Sequence, residues 1–375
     1  MPQIKKWVQN LILLVFTLII CLIILEIFIR LFFPVNDTIW LGDKIIGHIH
    51  MPDKQGVRYG EEYKTKLNFN DRGFHDIDHK IENPKSKTRI VFLGDSFVDA
   101  LEVDFNESFV QQYQKRLDNY YPEKYEVFNF GLYYFSTAQE YLLYKNYVKG
   151  FSPNEVYLFV FFNDPYEICL EDVKNPTFYL ENGEVKAREF TPNRYSNLQI
   201  FISNHLKSSI FFRERFNSIR KNFNEVNSTK SLPPATKVFL KDYDNQTKEC
   251  LNLFEHFIKE LKSEVISSGA NLTAFIIPHP ASINDTDKEK FLQTYGLDQD
   301  QVDFLKPNRE FIDVFEKQNI SYVNLYDHLK HREERIYYLL DGHFNPKGHQ
   351  IIADLLLERL INQEKGVYSC QITAL

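Results

Sequence analysis

The stretch IVFLGDSFVDALEV, from Ile90 to Val103, decides the fold, because its character changes in the middle. Its first four residues are apolar and predict a short buried β-strand. Gly94, Asp95 and Ser96 follow where that strand ends. This junction has two interpretations: either Asp95 or Ser96 caps a helix, or the turn presents the hydroxyl of Ser96 as a nucleophile.

Outside this stretch, predicted strands and helices alternate along the chain. Buried strands are predicted by apolar runs at Ile90–Leu93, Tyr125–Gly131, Glu155–Asp164, Leu272–Pro278 and Ile320–Tyr326. Amphipathic helices are predicted at Glu107–Tyr121, Ser136–Gly150, Thr247–Ser268 and Asn308–Gln318, and from Pro346 onwards. The alternation predicts an α/β fold in which a parallel sheet of about five strands is covered by helices on both faces.

Two segments interrupt this alternation. Residues 35–85 form a polar, turn-rich lead-in that contains NFNDRGFHD (Asn68–Asp76). Residues 171–236 form an insertion, which begins with a hairpin around Asn182 and Gly183 and which we expect to cap one edge of the sheet. The predicted domains are an N-terminal anchor at 1–34, the lead-in at 35–85 and a catalytic domain at 86–375.

The N-terminal segment Leu11–Phe33 is almost wholly apolar and long enough to cross a bilayer core of roughly 30 Å as a helix. Lys5 and Lys6 precede it and favour a cytoplasmic N-terminus. A cleaved signal peptide is the alternative, but no small-residue cleavage site follows the apolar run. Both interpretations place the rest of the chain outside the cytoplasm, either periplasmic or at the cell surface, and an uncleaved single-pass anchor is favoured.

Composition excludes several classes of protein. The net charge is −7 and no long block of Lys or Arg occurs, which argues against a nucleic-acid partner. The cysteines are Cys21, Cys169, Cys250 and Cys370, and their wide spacing matches neither a zinc site nor a dense disulfide framework. At most one intrachain disulfide can form outside the apolar N-terminus.

Small polar residues follow the predicted strands, at the sheet edge where open parallel sheets bind ligands. Ser96 supplies a hydroxyl, His343 a base and Asp341 a carboxylate that holds the imidazole. The backbone N–H groups of Ser96 and Gly131 and the side-chain amide of Asn163 are the candidate donors to an oxyanion.

In these residues the chain resembles the SGNH (GDSL-type) hydrolase family, whose Ser, Gly, Asn and His occur in this chain order. The matching residues are Ser96, Gly131, Asn163 and His343, and the resemblance covers about residues 86–365 without the insertion. It implies a flavodoxin-like three-layer α/β/α fold and ester hydrolysis or acyl transfer through an acyl-enzyme. The lead-in resembles that of membrane-anchored bacterial cell-envelope members.

The chain departs from the family pattern at three positions. Phe161 stands where the third block usually has a glycine, and Phe97 replaces a leucine in the first block. Asp341 and His343 are two residues apart instead of three, as in some envelope acetyltransferase relatives.

Other polar residues have structural interpretations. We expect Asp95 to fix the turn or cap the following helix, and His349 to cap or pack the last helix. The remaining histidine pairs are expected to be solvated loop residues and not metal ligands; they are His48 with His50 and His75 with His79. The sequence therefore predicts neither a metal nor another cofactor.

The predicted function is that of an extracytoplasmic serine esterase or O-acyltransferase. Its expected substrates are acyl esters, above all acetyl esters, of cell-envelope carbohydrate. Two alternatives remain: a catalytically inactive module that binds polysaccharide or export partners, and a lipase-like enzyme for membrane lipids.

Overall fold

The structure, a computed structural model, describes residues 2–171, 175–192, 197–225 and 232–366. Cys370 and parts of the predicted insertion, at 172–174, 193–196 and 226–231, lie outside the described residues.

The strands of the described chain form one five-stranded sheet and three two-stranded sheets. In chain order they are β1 Trp40–Asp43, β2 Gly47–His50, β3 Gln55–Tyr59, β4 Lys64–Asn68, β5 Thr88–Gly94, β6 Tyr125–Gly131, β7 Glu155–Val160, β8 Phe178–Glu181, β9 Glu184–Ala187, β10 Asn271–Ile276 and β11 Ser321–Asn324.

The α-helices begin with the apolar N-terminal segment and end with the last predicted helix. They are α1 Pro2–Phe32, α2 Ser96–Asp99, α3 Phe109–Tyr120, α4 Thr137–Leu143, α5 Asp164–Cys169, α6 Asn197–His205, α7 Lys207–Glu225, α8 Asn245–Ser267, α9 Pro280–Ile283, α10 Asp285–Tyr295, α11 Lys306–Lys317, α12 Tyr326–Leu329 and α13 Pro346–Glu364. Short 3₁₀ turns and one π-helical turn at Tyr144–Val148 connect some of them.

The central sheet has the order β6-β5-β7-β10-β11, and all its pairs are parallel. Counting only these five strands along the chain, the order is 2-1-3-4-5, which is the flavodoxin-like order. The order changes direction between β5 and β7, so ligands are expected to bind outside the carboxyl ends of these two strands.

Residues alternate along the strands between two apolar clusters, one on each face of the sheet. Val91 and Leu93 of β5 pack with α4, α8 and α11, whereas Ile90 and Phe92 pack with α3 and α13. This gives three layers, helices on a parallel sheet on helices, and it confirms the predicted fold class.

The lead-in belongs to the same folded body as the sheet. It contains two antiparallel hairpins, β1–β2 and β3–β4, which are not predicted from the sequence. Ile46 and Phe74 lie in the same apolar cluster as Val91. Arg89 of β5 is buried, and its guanidinium donates hydrogen bonds to carbonyl oxygens on both sides of the predicted boundary at 85/86. The boundary therefore does not separate two cores.

The predicted hairpin of the insertion is present, as β8 and β9. The insertion is predicted to cap one edge of the sheet, whereas its hairpin packs against α8, with the ring of Phe178 4.5 Å from that of Phe257. A disulfide joins Cys169 at the end of α5 to Cys250 of α8. The insertion also contains two helices, α6 and α7. Both lie beside α1, and α7 contacts it directly.

Within α1, the segment Lys6–Phe32 is long and apolar enough to cross a membrane, and its side chains are mostly exposed in the structure. A signal sequence near the N-terminus has the same properties.

Candidate active site

Ser96 lies at the junction of β5 and α2, where the chain turns sharply. A Cβ at Gly94 would lie 2.4 Å from the side chain of Val98, so the turn requires glycine. Asp95 caps α2, because its Oδ1 accepts the N–H of Phe97 at 2.9 Å. The predicted capping role of Asp95 is confirmed. The N–H of Ser96 lies in the first turn of α2, where such groups have no partner within the helix.

The structure brings Ser96, His343 and Asp341 together. Ser96 Oγ lies 2.7 Å from Nε2 of His343. The other ring nitrogen, Nδ1, is hydrogen-bonded to Oδ1 of Asp341. Gly342 between them has φ +84°, a left-handed conformation that glycine adopts without strain. The short spacing of Asp341 and His343 is therefore compatible with their contact.

The lead-in holds the carboxylate of Asp341 and the backbone before it. Tyr63 donates its hydroxyl to Asp341 Oδ2 at 3.0 Å. The carboxylate of Glu62 accepts the backbone N–H groups of Leu339, Leu340 and Asp341 at 2.8, 2.6 and 3.2 Å. These hydrogen bonds outweigh burial and lower the pKa of Glu62. The turn between β3 and β4 thus supports the loop that carries two of the three candidate catalytic residues.

A second carboxylate lies beside His343. Glu102 is 1 % exposed, and its Oε1 is 4.0 Å from Nδ1 of His343 and 3.3 Å from the guanidinium of Arg58. Sequence reasoning missed Arg58, Glu62, Tyr63 and Glu102 as members of the site. Glu102 lies within the stretch Ile90–Val103. A charged residue that follows an apolar strand is equally typical of a solvated position, so the sequence did not mark it as part of a site.

The charges around His343 favour its protonated form. Burial by itself lowers the pKa of His343, but the carboxylates of Glu102 and Asp341 outweigh this effect and raise it to about 9. Burial raises the pKa of Asp341, but its bonds to His343 and Tyr63 more than compensate, and the pKa is lowered. These carboxylates therefore stabilise a positive charge on the imidazole of His343.

The backbone N–H of Gly131, predicted to be an oxyanion donor, already has an acceptor within the protein. Its N–H donates to Oδ1 of Asn129 at 2.9 Å, so this N–H is not free to donate to an oxyanion. A Cβ at Gly131 would lie 2.3 Å from the backbone nitrogen of Asp99, and glycine therefore permits the close approach of β6 to α2.

Asn163 immediately precedes α5 and makes no capping hydrogen bond with its side chain. Beside it lies a group of buried carboxyls, which are Asp95, Glu140, Asp164 and Glu167. Its side chain lies beside the carboxyls of Asp95 and Glu167, and its buried Oδ1 has no hydrogen-bond partner among the described residues. Burial raises the pKa of Asp95 to about 6 and that of Glu167 to about 8. The side chain of Asn163 thus lies beside a group of carboxyls whose pKa values burial raises.

Phe161, at the position where the resemblance has glycine, packs into the site wall. Its ring centroid is 4.5 Å from that of Phe97, the other departure in the first block, and Phe97 in turn contacts the ring of His343 at 4.9 Å. The two phenylalanines compensate for each other by packing together beneath the imidazole.

The other histidines are structural. His349 is buried, accepts the N–H of Phe109 at 3.1 Å, and has a pKa that burial lowers to about 3. This confirms its packing role.

The prediction that the paired histidines are solvated is wrong. His50 and His75 are fully buried, and His50 Nε2 lies 2.9 Å from the carboxylate of Asp99. Both ring nitrogens of His48 and of His79 are hydrogen-bonded within the protein. The rings of His50 and His75 pack between the lead-in and the sheet.

The described residues contain one group with metal-ligand spacing, formed by Glu102, Asp341 and His343. Both nitrogens of His343 are already engaged, by Ser96 and by Asp341. The two carboxylates of this group lie beside the imidazole that Ser96 contacts, and we assign the group no metal.

No protein-family model matches the chain, and no curated protein matches it. Three solved structures illustrate the structural likeness. TesA is 11 % identical, with a TM-score of 0.38 over 72 % of this chain and 97 % of its own. The lipase/acylhydrolase from Enterococcus faecalis is 12 % identical, with a TM-score of 0.40 over 73 % and 96 %.

The acetylxylan esterase Axe2 from Geobacillus stearothermophilus is 15 % identical, with a TM-score of 0.39 over 75 % of this chain and 96 % of its own. Identities and TM-scores at this level assign no activity. The fold is therefore identified from the strand order and the layers of the chain itself. By that order, and by the three-layer packing, the chain has the flavodoxin-like three-layer α/β/α fold that the resemblance implies.

Proposed function

We propose that the protein is a serine esterase or O-acyltransferase that acts through an acyl-enzyme. The observation that carries this proposal is the continuous hydrogen-bonded chain from Ser96 through His343 to Asp341. A hydroxyl, an imidazole and a carboxylate in this order form the general arrangement of nucleophilic acyl transfer.

In the proposed reaction, Ser96 Oγ attacks the acyl carbonyl while Nε2 of His343 takes its proton. Asp341 keeps the remaining proton on Nδ1 and stabilises the imidazolium. The Ser96 N–H and the Asn163 amide are the proposed donors to the oxyanion, and each such donor is typically worth about 3 kcal/mol in the transition state. His343 then protonates the leaving alcohol.

The acyl-enzyme is resolved by water in hydrolysis or by a sugar hydroxyl in transfer. In both cases His343 accepts the proton of the incoming hydroxyl and returns it to Ser96. The second half-reaction therefore uses the same groups as the first, and the acceptor decides between the two activities.

The proposed substrates are acetyl or other short acyl esters of carbohydrate outside the cytoplasm. The Cys169–Cys250 disulfide supports this location, because disulfides persist in oxidising compartments. Aromatic rings suited to sugar stacking surround the catalytic loop: Tyr133 lies 5.6 Å from the His343 ring, Tyr134 is exposed, and Tyr63 packs on Tyr338.

A lipase-like activity is the second candidate, since the apolar α1 would hold the site near lipids. Hydrolysis of short-chain against long-chain esters separates it from the carbohydrate-ester activity. The inactive binding module was suggested by Phe161 and by the short Asp341–His343 spacing; the contacts of these residues weaken that argument.

A fluorophosphonate probe tests the proposal in the full-length chain. We expect covalent labelling that is lost in Ser96→Ala and retained in Ser267→Ala, which changes an exposed serine at the end of α8. A folded wild-type protein that takes up no label, or label that persists in Ser96→Ala, contradicts the proposal. Acetate release from a defined acetylated glycan, with and without an acceptor sugar, then distinguishes hydrolysis from transfer.

A further inference from the structure

A row of apolar side chains is exposed on the two helices of the insertion. On α7, Phe212, Phe216 and Ile219 are 53, 68 and 57 % exposed, and their spacing of four and three residues places them on one helix face. On α6, Leu198 and Phe201 are 66 and 58 % exposed. We call these five residues the apolar face. Such a face is uncommon on a surface that contacts only water.

The apolar face is joined directly to the last turns of α1. Glu26 of α1 accepts the N–H groups of Lys207 and Ser208, at 2.8 and 2.9 Å, and so holds the start of α7. The guanidinium of Arg30 donates to the carbonyl oxygen of His205 at the end of α6, at 2.6 Å. The rings of Phe33 and Phe211 are 4.8 Å apart. The polar residues of α1 are thus used to position α6 and α7.

The length of α1 indicates where the junction of α6 and α7 would lie relative to the hydrocarbon core of a bilayer. Trp7 and Glu26 are 19 positions apart, which corresponds to about 28 Å at about 1.5 Å per residue. A hydrocarbon core is about 30 Å thick. When Lys6 and Trp7 lie at one interface, Glu26 and Arg30 fall at the opposite one, and the α6–α7 junction lies there with them.

The charge of this segment differs from that of the whole chain. Residues 197–225 contain five Lys or Arg and two Asp or Glu, whereas the full chain has a net charge of −7. Arg213 and Arg215 are exposed on either side of Phe212 and Phe216. Exposed apolar residues next to basic ones are typical of helices that lie in the interfacial layer of an anionic membrane.

We propose that the apolar face of α6 and α7 inserts into the headgroup layer of an anionic bilayer, on the side opposite the N-terminus. The occupant of this face is the lipid surface that surrounds α1. This inference rests on the proposed membrane-spanning role of α1 and extends it: the domain has a second membrane contact, which fixes its orientation.

Depth-dependent quenching tests this contact. The full-length chain is reconstituted in vesicles of phosphatidylcholine and phosphatidylglycerol that carry nitroxide lipids, either at the headgroup or deep in the acyl chain. Phe216→Cys is labelled with a fluorophore in a background that carries Cys21→Ser and Cys370→Ser, and Cys370→Ser is also present in every other labelled variant. The matched control is Ile266→Cys, which replaces an apolar residue of similar exposure, 56 %, at the end of α8. A label at native Cys21 reports on α1 itself.

We expect the label at position 216 to be quenched by the headgroup nitroxide, as for a helix that inserts about 5–10 Å into the boundary layer, and the label at 266 to remain unquenched. We also expect weaker quenching at 216 in vesicles of phosphatidylcholine alone. Equal quenching in the two lipid mixtures would overturn the anionic assignment.

The Cys21 label separates the two proposals. Deep quenching at Cys21 without quenching at 216 overturns the apolar-face proposal and leaves the anchor intact. A label at 216 that is shielded from both water and lipid identifies a second copy of the chain as the occupant and also overturns it. Absence of deep quenching at Cys21 overturns the anchor and the apolar-face proposal together.

Discussion

The carboxylate of Asp341 reaches Nδ1 of His343 across a single residue, Gly342. Gly342 has φ +84°, and a Cβ at this position would meet no atom within 4 Å. The contact between acid and base therefore depends on a backbone conformation that other residues rarely adopt, and the backbone alone would oppose a substitution.

Gly342→Ala is expected to separate the acid from the base. The left-handed conformation costs a residue with a Cβ about 1 kcal/mol, and relief of this strain moves Asp341. We expect kcat/KM to fall about ten-fold, which corresponds to about 1.4 kcal/mol. Gly296→Ala is the matched control, since Gly296 has φ +63° and also faces open space. An equal loss of activity in both variants would contradict the positioning role of Gly342.

Glu102→Gln is expected to change the pH dependence of catalysis. His343 acts as a base only when neutral, so with a pKa of about 9 in the free enzyme, kcat/KM should rise as the pH increases towards 9. Removing the negative charge 4.0 Å from Nδ1 lowers this pKa, so the acidic limb should move to lower pH by about one unit. Glu107→Gln makes the same charge change at an exposed residue and should leave the limb in place. An unshifted limb in Glu102→Gln would show that this carboxylate does not act on His343.

Glu62→Ala is expected to loosen the catalytic loop. It removes the acceptor of three backbone N–H groups at Leu339–Asp341, and we expect kcat to fall roughly ten-fold with a smaller change in KM. Glu61→Ala changes the neighbouring exposed residue and should have wild-type kinetics. Glu62→Gln keeps an acceptor oxygen and should recover part of the activity. If Glu61→Ala and Glu62→Ala have the same kinetics, the lead-in has no role in positioning the loop.

Loss of the disulfide is expected to destabilise the domain without affecting α1. Cys169 and Cys250 are 81 residues apart, and closing a loop of this length stabilises a fold by roughly 4.5 kcal/mol in the chain-entropy model. Cys169→Ala combined with Cys250→Ala should lower the free energy of unfolding by about 2–5 kcal/mol in urea titrations. The control Cys21→Ser removes an exposed thiol of α1 and should leave this value unchanged. A double variant as stable as the wild type would refute a stabilising role for the bond.

Much of the central sheet could be predicted from the sequence, because its strands are buried on both faces and form short continuous apolar runs. The predicted strand Tyr125–Gly131 matches β6, and the predicted hairpin around Asn182 and Gly183 is present. The four strands of the lead-in were missed, since β1 to β4 are four or five residues long and partly exposed, so their apolar residues do not alternate clearly.

The candidate nucleophile and base were predicted because Ser96 follows a recognisable strand and His343 precedes a recognisable helix, and the structure places them in contact. Their supporting groups have no such signal. Tyr63 bonds to Asp341 across 278 positions in sequence, and no local pattern predicts a contact that arises only from tertiary packing. Gly131 illustrates the opposite case: its place after a strand suggested an oxyanion donor, but a side chain two residues earlier takes its N–H.

The segment between α1 and β1 packs against α1 and α7 and is hydrogen-bonded to β3. Val35 is buried against Ile29 and Ile210. Asn36 and Asp37 accept the N–H groups of Tyr59 and Val57, at 2.6 and 2.7 Å. If α1 spans the membrane as proposed, this segment is a stiff stalk and not a free tether. Ser96 would then lie at one fixed height above the lipid, and the distance of an ester from the bilayer would become part of the specificity of the proposed reaction.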